Sequence, residues 1–185
     1  FNVRFYFRST FLLKSGGIFT CNIYKPLKSR KMSINTITKN ATFKRSVYTE
    51  IIINAPIKKM WKELTNFKEM PTWSKSIQKI EGDFSKNGKT QVHFMDNKGK
   101  VGIYKHQLIH FEEGRLFFCF YPFILGMVDN HKYQMEKISD HQTKFIQSDE
   151  LNGFATLFVG NFIINYFLKS YTMFNEALKI RVEKA

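Results

Sequence analysis

The chain has 185 residues, 43% of them hydrophobic and 16% aromatic, with twenty phenylalanines; that is enough for one domain with a substantial core and an extension. Its net charge of +14 points first to nucleic acid or an anionic surface, yet residues 1–49 carry +10 with no acid and residues 50–185 only +4. The body is therefore only mildly basic, which argues against a nucleic-acid partner, and two distant cysteines build no disulfide framework and leave a reduced compartment as the default.

Residues 1–42 read as a basic leader outside the folded domain, and residues 43–185 as the domain itself. The leader's apolar runs are too short for a signal-peptide core. Two readings stand for it. One is an organelle transit peptide over residues 1–31, which would place the protein in an organelle. The other is sequence upstream of a natural start at Met32, which leaves a cytoplasmic location. The leader's charge also suits peripheral contact with a membrane.

The first regular signal is "VYTEIII" (47–53), rich in β-branched residues and read as a strand. In "NAPIKKMWKELTNF", Asn54 suits a helix cap and Pro56 the first turn, while Ile57, Met60, Trp61 and Leu64 recur at helical spacing. "TNFKEM" predicts a second short helix, stopped at Pro71. "IQKIEGDF" leads into strand-like runs at 89–96, 100–111, 115–124, 128–138 and 143–151, separated by turn signals such as Asn97-Lys98-Gly99. After Gly153 an apolar segment runs to about Val182 without proline and predicts one long helix. Gly160, Asn161, Asn165 and Lys169 interrupt it, so it does not read as a membrane span. The order is one strand, two helices, six strands and a long helix: an α+β arrangement of about seven antiparallel strands curved around the last helix. A gap between curved sheet and helix is the default place for a ligand.

The stretch "IIINAPIKKMWKELTNFKEMPTWSKSIQKIEG" (51–82), the paired runs in "NHKYQMEKISDHQTKFIQSDELNGF" (130–154) and the final "MFNEALKIRVE" (173–183) resemble the START/birch-allergen-like (SRPBCC) superfamily, and within it the polyketide cyclase/dehydrase and lipid-transport group. The resemblance implies a helix-grip fold around a deep hydrophobic cavity. It implies binding or transport of an apolar small molecule, lipid-like or polyketide-like. Two alternatives remain: a cyclase/dehydratase-type enzyme using polar residues in the same cavity, and a quinone- or lipid-associated chaperone at a membrane. It supplies no universal catalytic residue and no cofactor.

The candidate site residues divide by element. Phe154, Phe158, Phe162 and Tyr166 lie at i, i+4 spacing and either fill the core or line a cavity. Asn161 and Asn165 face a ligand or water. Phe67, Met70 and Trp73 lie where the resemblance implies a cavity mouth. On the strand at 128–138, His131, Tyr133 and Met135 share the inward face. Were the hairpin register to set Asp149 opposite His131, the two would form an inward polar pair with a raised imidazole pKa, either a structural pair or an acid–base pair. His93, His106 and His110 make no compact ligand set, because His106 and His110 lie two pleats apart, about 13 Å, so no metal is expected. Cys119 reads as a small buried hydrophobe.

Overall fold

A computed structural model describes residues 33–96, 98–124 and 126–184. Its elements in chain order are β1 (Ser33–Ala41), β2 (Lys44–Ile53), α1 (Ile57–Leu64), α2 (Met70–Trp73), β3 (Ile77–Gly82), β4 (Lys89–Met95), β5 (Val101–Glu112), β6 (Leu116–Ile124), β7 (Met127–Ser139), β8 (Gln142–Asn152) and α3 (Thr156–Lys184). Among the described residues eight strands form one antiparallel sheet, ordered β1-β2-β8-β7-β6-β5-β4-β3. The sheet is curved and unclosed, and α3 lies in its grip.

Strand β2 shows the reason for the curl around α3. Arg45, Val47, Thr49, Ile51 and Ile53 are buried and the residues between them are not, the period-two signature of a sheet with one covered face. In α1, Met60, Trp61 and Leu64 turn inward as their spacing predicts. The cap differs from expectation: Pro56 occupies it, with no side-chain hydrogen bond. Asn54 instead ties down the far end of the molecule, its N–H donating to Glu183 Oε1 at 2.7 Å and its Oδ1 accepting from Gln142 Nε2 at 2.9 Å.

Two sequence expectations need correction. The boundary at residue 42 is too late, because residues 33–41 form β1 and pair with β2 from Ser33↔Ile51 onward. That strand eluded the pattern because it is an edge held by backbone hydrogen bonds; only Ile37 packs against the core. The transit-peptide, upstream-sequence and membrane-contact readings of the leader fall on residues 1–32, outside the described residues.

The second correction concerns α3. Phe154, Phe158 and Phe162 do not face the sheet; they are 64%, 70% and 79% exposed. The helix instead buries Thr156, Gly160 and Ile164, then Tyr171, Phe174, Leu178 and Val182. Positions 156, 160 and 164 lie two residues beyond the aromatic stripe, roughly 200° around the helix, which turns the stripe to the opposite side. Close approach explains the choice. A Cβ on Gly160 would sit 3.2 Å from Arg45 Cγ, so the small face meets β2, and Arg45 Nε donates to Asn161 Oδ1 at 2.7 Å. Asn165 is exposed and donates to the Asn161 carbonyl at 2.6 Å. Phe158→Ser is therefore expected to change the unfolding free energy by no more than about 0.5 kcal/mol in urea titration. A loss of about 2 kcal/mol or more would mean that this face is buried.

Among the described residues no helix is long and apolar enough to cross a membrane.

Candidate functional site

A cavity of about 700 Å³ opens between the concave face of the sheet and α3. Its walls come from the α1–α2 connection, strands β3 to β8 and the middle of α3. Strands deliver alternate residues to it: Val92 and Phe94 from β4, Tyr104, His106 and Leu108 from β5, Phe117, Cys119 and Tyr121 from β6. A β-bulge between Leu108 and His110 then inverts the alternation, so that Phe111 faces the cavity while His110 is exposed. His106 and His110 thus lie on opposite faces. His93 is directed away from the cavity, its Nε2 3.1 Å from Glu81 Oε1.

Of the expected lining residues, Phe67, Met70, His131, Tyr133, Phe162 and Tyr166 border this cavity. Phe162, largely exposed, stands at its mouth. Trp73, Met135, Phe154 and Phe158 do not border it. Trp73 is taken up against Phe174, ring centroids 5.2 Å apart. Met135 has the inward parity of His131, but it lies further along β7, where α1 packs, and is sealed in the core. Phe154, in the turn before α3, packs between Phe43 and Phe158, the latter on the outer side of α3.

The polar groups gather on β7, β8 and α3. The register sets His131 opposite Asp149. Their side chains do not close directly: His131 Nδ1 is 3.9 Å from Asp149 Oδ2. Tyr171 bridges them, its hydroxyl donating to Asp149 Oδ2 and lying 3.4 Å from His131 Nδ1. On the other side of the ring, Gln147 Nε2 is 2.9 Å from His131 Nε2. An amide nitrogen only donates, so His131 Nε2 accepts and Nδ1 carries the proton toward Tyr171. Tyr133 and Tyr171 both stack on the imidazole, with ring centroids 4.2 and 4.6 Å away. Asp149 is fully buried behind this layer, outside the cavity wall.

Burial governs the charge states. The expected rise in the His131 pKa is reversed: desolvation holds the ring well below its ordinary value, and the Asp149 charge is engaged by Tyr171 instead. Asp129 lines the cavity and hydrogen-bonds the Asp149 side chain; burial and that neighbouring charge push it well above the carboxylate range. Burial raises Asp149 as well, so the two carboxyls titrate as one pair above the usual carboxylate range. Burial also lowers His106 to about 4 and raises the Cys119 thiol to about 12.

Asp129, His106 and Gln147 are site residues that the sequence reading passed over. Asp129 has the same parity as His131 on β7, a signal that was legible. His106 was weighed only as a metal ligand beside His110, and the bulge that separates them leaves no mark in the sequence.

The sequence profile described as polyketide cyclase / dehydrase and lipid transport matches residues 44–183. The fold is similar to the Zhui aromatase/cyclase from Streptomyces sp. R1128, with TM-score 0.65, 11% identity, and coverage of 76% of this chain and 94% of that one. A START superfamily protein from Mycobacterium smegmatis is similar at TM-score 0.62 and 12% identity, covering 75% of this chain and 97% of that one. Ara h 8.0201 is similar at TM-score 0.60 and 17% identity, covering 77% and 99%. At these identities the likeness shows the fold alone. No curated protein matches the sequence.

Proposed function

Because the chain belongs to the polyketide cyclase / dehydrase and lipid transport family, we propose that it binds and carries an apolar small molecule, lipid-like or polyketide-like, in the cavity under α3. The observation that carries this reading is the cavity itself: about 700 Å³, walled mostly by aromatic and aliphatic side chains, with a small polar cluster at His131, Asp129 and Gln147. Burial of apolar surface supplies affinity there, and the polar cluster supplies orientation. Native mass spectrometry of the purified chain, followed by organic extraction, is expected to reveal a retained apolar molecule. Val92→Trp, which fills part of the wall, is expected to weaken uptake of the neutral dye Nile red about tenfold. A chain that carries no apolar adduct and takes up no Nile red would sink the reading. Chemical conversion of the recovered molecule during incubation with the protein would move it to the cyclase/dehydratase alternative.

A further inference from the structure

Three cavity-lining residues, on three different strands, each hold one buried polar atom without a hydrogen-bond partner: His106 Nδ1 on β5, Asp129 Oδ1 on β7 and Gln147 Oε1 on β8. Asp129 and Gln147 are 4% and 2% exposed. An unmet buried polar atom costs free energy, so three around one cavity ask for a common explanation.

Two of the three atoms, the carboxyl and amide oxygens, are acceptors. Burial keeps the His106 ring neutral, so it offers one N–H and one lone pair, and its buried Nδ1 has no partner; a hydroxyl, donor and acceptor at once, meets that atom in either tautomer. Asp129 Oδ1, a carboxyl oxygen of the buried Asp129–Asp149 pair, has no partner and is an acceptor. Gln147 directs its Nε2 to His131, which leaves the amide oxygen. Among the described residues the single cation on the cavity wall is Lys98, in the β4–β5 turn beside Asp96, whose Oδ1 accepts the Lys98 backbone N–H at 2.8 Å. Among the described residues no cation accompanies the acceptors.

We infer that the polar end of the cavity receives a neutral apolar molecule through its hydroxyl groups, which donate to Asp129 and Gln147 and pair with His106, and that it rejects carboxylate and phosphate ends. Each hydroxyl supplies one of the missing donors. An anionic end brings only acceptors, set against a buried carboxyl pair with no compensating cation. A methyl ether of the same length has the apolar body without the donor.

This inference rests on the cavity being a binding site, and the test separates the two. The intact chain is loaded with Nile red and titrated with hexadecanol, hexadecyl methyl ether or hexadecanoate. Hexadecanol is expected to displace the dye at about tenfold lower concentration than either competitor, the discrimination available when a buried polar site is left unmet. Asp129→Leu and His106→Phe are each expected to cut the alcohol-to-ether ratio to about threefold or less, read within each variant. Should Asp129→Leu fail to fold, His106→Phe, on a different strand, gives the same readout. Equal displacement by all three compounds, or preference for hexadecanoate, overturns the hydroxyl inference while leaving the binding site standing. Failure of the unmodified chain to take up Nile red overturns the binding site itself, and the inference with it.

Discussion

Gly153→Ala is expected to lower the unfolding free energy by about 3 kcal/mol or more, read by urea denaturation. Gly153 has φ +125°, a conformation that side chains other than hydrogen rarely adopt. A Cβ there would stand 2.0 Å from the Gly126 carbonyl oxygen and 2.8 Å from its carbon, so the clash is with backbone and no rotamer relieves it. The residue joins β8 to α3, and its N–H donates to the Phe43 carbonyl at 3.0 Å. It sets the angle at which α3 leaves the sheet and therefore the height of the cavity roof. A loss below about 1 kcal/mol would show that the junction relaxes freely and does not hold the helix.

Acidification from about pH 7 to about pH 4 is expected to remove up to about 3 kcal/mol of stability through His106 alone. Burial lowers its folded pKa from 6.5 to about 4. Between those values the unfolded chain binds the proton and the folded chain does not, so stability is complete above 6.5 and is lost as pH falls toward 4. His131, lowered by the same cause, adds with the same sign. Asp129 acts oppositely: its raised pKa favours the folded state at low pH, and that contribution is lost as pH rises through the folded value. Comparison with His106→Phe isolates the first effect, because the surface carboxylates titrate alike in both proteins. The difference in stability between about pH 7 and about pH 4 is expected to shrink by up to about 3 kcal/mol in the variant. Parallel pH profiles would show that His106 is protonated as easily in the folded chain as in the unfolded one.

Periodicity made much of this architecture legible. The β-branched run from Val47 to Ile53, the Trp61 helix, five strand runs at hairpin spacing and a proline-free terminal helix are short-range patterns, and they appear in the structure in the same order. Residues 33–41 escaped because an edge strand joined by backbone hydrogen bonds needs no apolar alternation. The site was harder to read. The pairing of His131 with Asp149 follows from a register that the strand pattern allowed but did not select. His106 depended on a bulge one residue long.

What the sequence by itself determined is the kind and order of the elements from β2 onward and the inward parity of β7, because those depend on neighbours a few positions apart. The tertiary structure alone decided which way α3 turns, since Gly160 and Asn161 meet Arg45, which is 116 positions before Asn161 in the chain, and send the Phe154–Phe158–Phe162 stripe outward. It also decided which acceptors remain without donors around the cavity. Hydrogen-bond satisfaction belongs to the assembled neighbourhood, not to the spacing of residues along the chain.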